Sequence, residues 1–217
     1  VLQNLPATIE KLQDQKYKLR DIMILVRRQD EGREIIDQLL KYKKSALAKK
    51  KYQYEIISSE SLYLENAASV KIIIAVFRWL LDAKDRVNLS QLAADYQQVI
   101  LKKEGIDWHE LFTAGDDLIK YLPDGFTSKK GLYLSQSLYE VAEQVIRDFN
   151  LQSIKEELAY QHAFLDQLLN FNNLEGSDLN QFLQWWEQSG RQTAIQMPDQ
   201  IDAIRLFTIH KAKGLQA

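Results

Sequence analysis

Two short stretches of this 217-residue chain end an apolar run on groups able to hold phosphate oxygens. In "DIMILVRRQDEG", Arg27 follows a run of branched apolar residues, and its planar guanidinium fork matches the geometry of phosphate. In "IRLFTIHKAKGLQA", Thr208, His210, Lys211, Lys213 and Gly214 follow a second such run. Hydroxyl, imidazole and ammonium groups all donate to phosphate, and glycine admits close backbone approach. Groups of this kind position a nucleic-acid backbone without reading its bases. Each stretch also has a plain alternative: Arg27 and Arg28 end a strand in solvent, and the second stretch is a basic turn. From the residues alone both readings stand open.

The elements that must position these groups are legible in outline. "IMILV" (22–26), "YEIIS" (54–58) and "IRLFTI" (204–209) are short, rich in branched residues and flanked by charge, as buried strands are. The segment between the first two carries apolar residues at 35, 36, 39 and 40 and reads as a helix, so strand, helix and strand predict a βαβ unit with a parallel sheet. In such sheets ligands bind outside the carboxyl ends of the strands, where both phosphate-holding stretches fall.

From about Ala67 to Gln188 the pattern is helical almost throughout. "NAASVKIIIAVFRWLLDA" is apolar nearly all round and is expected to be buried. Ser90 is expected to cap "QLAADYQQVILKK", with Leu92, Tyr96 and Val99 on one face. Ser137 with Glu140, and Ser153 with Glu156, have capping-box spacing. The periodic runs that follow are Val141, Val145 and Phe149, and then Leu158, His162, Leu165 and Leu169. Asp178 opens "LNQFLQWWEQS", which is expected to end at Gly190, and "LPDGFTSKKG", "LEGSD" and "MPDQ" supply turns. The expected architecture is an α/β domain whose halves are separated by an inserted helical domain.

Composition narrows the function. With 28 basic and 30 acidic residues the formal charge is −2, so any nucleic-acid contact has to be local. There is no cysteine, and the three histidines, at 109, 162 and 210, have no partner at ligand spacing; no disulfide and no metal site is expected. The longest apolar run is broken by Lys71 and Arg78 and is too short to span a membrane, and a cytoplasmic location is expected. "KYKKSALAKKK" places six lysines between 41 and 51, read either as a solvated helix and loop or as a DNA-backbone patch. Tryptophans 79, 108, 185 and 186 fall at helical positions and can be read as base-stacking rings or as core; spacing favours the core, with Trp185 open to either environment. The carboxylate pairs Asp116/Asp117 and Glu156/Glu157 diverge on a helix and do not converge on a metal.

Taken in order, "DIMILVR", "YEIISSESLYLENAASVKIIIAVFRWLLDAKD", "FLQWWEQSG" and "IRLFTIHKAKGL" resemble the carboxyl-terminal motor portion of UvrD/Rep-type superfamily 1 DNA helicases. The similarity is greatest to the RecB/AddA-like helicase–nuclease branch and weakest between about 85 and 175. The fold it implies is mainly α with a small parallel α/β part. In family terms this is a RecA-like second motor domain of the P-loop NTPase type (1–66 and 191–217), interrupted by an all-helical insertion (67–190).

The resemblance also implies roles. Arg27 matches the arginine that reaches the ATP γ-phosphate across the interface with a first RecA-like domain, the catalytic role in this segment. Thr208, His210 and, more weakly, Lys211 match positions on the DNA backbone, and Lys213, Gly214 and Gln216 fall towards the nucleotide. Ser59 and Ser61, in "SSESL", match a segment near the single strand, with a local capping role as the alternative. Where family members carry Glu and an aromatic after "KGL", this chain has Gln216 and Ala217.

The phosphate loop G-x-x-x-x-G-K-[ST] is absent from the sequence, so the chain is expected to be a piece of a longer parent and inactive by itself. That parent is expected to use ATP and magnesium, to bind single-stranded and duplex DNA, and to act with its own first RecA-like domain and a nuclease domain or subunit in DNA repair and recombination. A reading from another class is a non-enzymatic helical interaction module on a degenerate α/β base.

Overall fold

The computed structural model describes residues 4–58, 62–105, 107–175, 178–195 and 202–212, apart from the side chains at 116, 173–175 and 211. It is mostly helical, with one small three-stranded parallel sheet. The chain divides into two compact units, Val1–Leu62 with Gln196–Ala217, and Tyr63–Ile195.

In the first unit α1 (Leu5–Asp14) leads to β1 (Met23–Val26), α2 (Gln29–Lys44) and β2 (Ile56–Ser58), and the chain returns much later as β3 (Ile204–Thr208) and the short α10 (Ile209–Ala212). The strand order is β1-β3-β2. The expected βαβ unit in a parallel sheet is present, β1 and β2 being parallel and joined through α2, and β3 lies between the two strands and pairs with both. Met23 aligns with Arg205 and Val26 with Thr208 on one side, and Ile56 aligns with Ile204 on the other.

One sheet face carries Ile24, Val26, Ile56, Ile204 and Leu206, packed with Ile9 of α1 and with Ile35 and Leu39 of α2. Helix α2 lies close because residue 32 is glycine, where a Cβ would meet Leu206 Cδ2 at 2.8 Å. Asp30 and Glu31 sit in its first turn and Lys41, Lys43 and Lys44 in its last, the arrangement that complements a helix dipole. On the other face, Met23 and Leu25 are about half exposed.

The second unit is built around α3 (Ala68–Leu81), whose residues from Ser69 to Leu80 are buried except Lys71 and Arg78. Its first two N–H groups, at Ala68 and Ser69, donate to the Glu157 carboxylate at 2.9 and 2.7 Å, so an acid remote in sequence caps it. Around it lie α4 (Arg86–Asp95), α5 (Trp108–Thr113), α6 (Lys130–Leu134), α7 (Leu138–Asp148), α8 (Leu158–Glu175) and α9 (Leu179–Gln188). The chain enters and leaves this unit side by side: Tyr63 bridges Ala194, and Leu64 N–H donates to Thr193 O at 2.9 Å.

Several caps and faces follow the sequence, and several do not. Ser137 and Glu140 form the expected reciprocal box at α7, Asp178 caps α9 through Gln181 N–H, and Val141, Val145 and Phe149 are buried. Ser90 is not a cap: Asp85 accepts from Asn88 N–H at 3.0 Å, and Ser90 lies buried within α4. From Tyr96 to Ile100 the backbone then widens into a π-helical turn. Ser153 is not a cap either, because its hydroxyl donates to Asn150 O and α8 starts five residues later, at Leu158. Helix α9 ends at Gln188, with Ser189 as its C-cap and Gly190 opening a 3₁₀ turn. The buried stripe of α8 is Gln161, Phe164, Leu168 and Phe171, whereas His162 and Leu169 of the expected stripe are exposed. "MPDQ" and the Gly176–Ser177 part of "LEGSD" lie outside the described residues.

That stripe is rotated because aromatic rings set the face. Phe77 meets Phe182 edge to face at 5.7 Å, and Phe164 meets Trp186 the same way at 5.4 Å, geometry that adds to burial. Half-buried Trp185 packs on Phe171 and Phe182 and then against Gly190, where a Cβ would lie 2.5 to 2.9 Å from three indole atoms. A ring held on several sides cannot swing away cheaply. Gly190→Ala is expected to lower stability by about 1–3 kcal/mol, read as a drop in the urea midpoint; an unchanged midpoint would show that the indole relocates freely.

Candidate functional site at the carboxyl edge of the sheet

Because Val26 pairs with Thr208, the residues that follow both strands emerge together. Neighbouring strands run roughly 4.8 Å apart, so Arg27 adjoins the Thr208–Ile209 backbone at the carboxyl edge of the sheet. Strand β3 ends at Thr208, one residue short of the expected Ile209, because the chain turns there into α10. His210 consequently lies on the first turn of a helix. Arg27 and His210 are exposed and Thr208 is half-buried.

The two adjacent arginines have different situations. Glu31 reaches back from the first turn of α2, and its Oε2 accepts from Arg27 N–H at 2.9 Å and from Arg28 N–H at 3.3 Å. The Arg28 guanidinium lies 3.4 Å from Asp30 and 3.7 Å from Glu31. Among the described residues the Arg27 guanidinium has no ion pair or hydrogen bond, and neither do the Thr208 hydroxyl and the His210 ring. The backbone at 27–28 is thus fixed while one cation stays available, and an available guanidinium on an anchored backbone suits phosphate oxygens. Glu31, three residues after Arg28 at the start of a helix, has the N3 spacing that could have flagged it in the sequence.

The other expected site positions, Ser59, Ser61, Lys213, Gly214 and Gln216, lie outside the described residues, as does the side chain of Lys211. Among the described residues no group of three or more His, Cys, Asp or Glu is placed to hold a metal ion, and no helix is long and apolar enough to cross a membrane.

Three of the six lysines in the run are spent on internal pairs. Lys43 pairs with Glu55, Lys51 with Asp14 at 3.0 Å and Lys49 with Glu10 at 2.7 Å. Glu10 is buried and also accepts from the hydroxyls of Tyr54 at 2.8 Å and Tyr42 at 3.1 Å. These bonds tie α1 to the segment leading into β2, and they reduce the cationic charge available to a DNA backbone. Of the tryptophans, 79 and 186 are buried and 185 is half-buried. Trp108 is 43% exposed, which corrects the expectation of a core position: the α5 face that carries it and Phe112 meets solvent.

No protein-family model matches the chain, and no curated protein matches it.

The hydrogen bond from Lys49 holds the Glu10 carboxyl below its ordinary value of 4.5; burial opposes this, and the Tyr54 and Tyr42 hydroxyls reinforce it. A carboxyl depressed in the folded state adds stability above its unfolded pKa and loses it as pH falls through the lower folded value. Glu10→Gln is expected to cost roughly 1–2 kcal/mol near pH 7 and to flatten the loss of stability below about pH 4.5, read from urea unfolding across pH. Equal stability at both pH values would contradict this role for Glu10.

Proposed function

We propose that the chain is the second motor domain, with its helical insertion, of an ATP-driven helicase that moves along single-stranded DNA and unwinds duplex. The family is the UvrD/Rep type, in its RecB/AddA-like branch. One observation carries this reading: the sheet edge where Arg27 leaves β1 is also where Thr208 and His210 leave β3. A nucleotide-side cation and backbone-holding groups are thereby neighbours across a single strand pairing, while the helical unit separates β2 from β3 in sequence.

In this reading Arg27 meets the γ-phosphate of ATP held by a first RecA-like domain of the same parent. Its guanidinium, unpaired among the described residues, fits a phosphate, and a cation aimed at developing phosphoryl charge supplies a large share of catalysis. Arg28 steadies the first turn of α2 by its contacts with Asp30 and Glu31 and takes no part. Thr208 and His210 donate to the phosphates of the bound strand, so strain at one end of the edge is felt at the other. ATP supplies the phosphoryl group when bound; magnesium, for which the described residues offer no ligand cluster, is assigned to the parent's first motor domain. The parent acts in DNA repair and recombination, with a nuclease domain or subunit as its partner.

In the full-length protein, Arg27→Ala is expected to lower DNA-stimulated ATP turnover by roughly 1,000-fold while single-strand binding is retained. Unchanged turnover would sink the motor assignment and favour a helical interaction module on a non-catalytic α/β base.

A further inference from the structure

We infer that the helical unit carries a base-stacking site for single-stranded DNA on the surface formed by the π-helical turn and α5. Trp108 and Phe112, one helical turn apart on α5, are 43% and 51% exposed. Their rings are nearly parallel, at 26°, with centroids 6.3 Å apart. About half of each residue is open to solvent, whereas the rings at Phe77, Phe164 and Phe182 are buried.

Beside this face is an open cleft of about 480 Å³ lined by Gln98, Lys102, Lys103, Glu104, Gly105 and Trp108. Lys102 and Lys103 are exposed and have no ion pair among the described residues. Hydrogen bonds orient the neighbouring acids without removing their charge: Asp107 accepts from the N–H groups of His109 and Glu110, and Glu110 accepts from the Tyr121 hydroxyl at 2.9 Å. The cleft lining itself sets the ammonium groups of Lys102 and Lys103 against the carboxylate of Glu104.

An aromatic platform with lysines at its rim has the composition of sites that bind single strands with little sequence preference: bases stack on the rings, and cations meet the phosphates. A flat apolar partner would use the rings and leave the lysines unmatched. The π-helical turn helps build the wall, because Lys103 N–H returns to Gln97 O at 3.0 Å and the buried Gln97 amide donates to Tyr121 O. The choice of DNA over RNA rests on the proposed function; the stacking chemistry does not, and none of these residues belongs to the sheet edge.

The test is titration of the chain with a fluorescein-labelled oligo(dT) and with an abasic oligomer of the same length, read by anisotropy at several salt concentrations. Trp108→Ala and Phe112→Ala are expected to weaken oligo(dT) binding on the order of 10-fold each, with circular dichroism unchanged because both rings are exposed. The abasic oligomer is expected to bind the unsubstituted chain about as weakly. Lys102→Ala with Lys103→Ala is expected to flatten the dependence of log K on log salt by about 1.4. Oligo(dT) binding that Trp108→Ala leaves unchanged, or an abasic oligomer bound as tightly, would overturn the site. ATP turnover of Arg27→Ala in the full-length protein tests the motor assignment and oligo(dT) binding by Trp108→Ala tests the stacking site, so failure of the one and failure of the other read out separately.

Discussion

Strand β3 bonds on both edges, to β1 from Met23 to Val26 and to β2 from Ile56 to Ser58, and the arrangement of the first unit depends on that double pairing. A parallel strand in the middle of a sheet has no hairpin to set its register, so side chains must do it. Ile204 and Leu206 are buried on the same face as Val26, and slipping by one residue would turn Arg205 into that core. The register that buries Leu206 against Val26 and Ile35 is the one that sets Thr208 beside Val26 and the β3 exit beside Arg27. Core packing and site geometry are one constraint here.

The strands meet across a long interruption, and the helical unit is built to tolerate it. Its two ends are held together by the Tyr63–Ala194 bridge, the Leu64–Thr193 hydrogen bond and the Arg191–Glu65 pair at 3.6 Å. Joining distant points costs closure entropy that grows slowly with loop length, and a folded insertion with adjacent ends presents a short loop to the sheet. Inside that unit, α3 shows why a nearly all-apolar helix needs several partners: five others pack around it, and a carboxylate from the α8 lead-in satisfies its first N–H groups.

Much of this was legible in the sequence where one local rule acts alone. The three strands, the all-round apolar α3, the Ser137–Glu140 box and the Asp178 cap depend on composition or on spacing of three or four residues. The misreadings fall where tertiary contacts compete. Ser153 has box spacing but donates to Asn150, and α8 turns its Phe164–Leu168 face inward because Phe77 and Phe182 wait there. At the site, Arg27 and Arg28 were indistinguishable by type, and only the positions of Asp30 and Glu31 separate them. Trp108 was grouped with the other tryptophans by helical position alone; its polar neighbours Asp107, His109 and Glu110 were the signal that the face is wet.

The central claim is that the end of β1 and the end of β3 work as one edge, with nucleotide on one side and strand on the other. The most direct measurement is the ratio of DNA-stimulated to basal ATP turnover in the full-length protein carrying His210→Ala. If the edge couples the two ligands, basal turnover persists and stimulation by single-stranded DNA falls roughly 10-fold, the scale of a typical coupling free energy. Full stimulation with His210 removed would contradict the account.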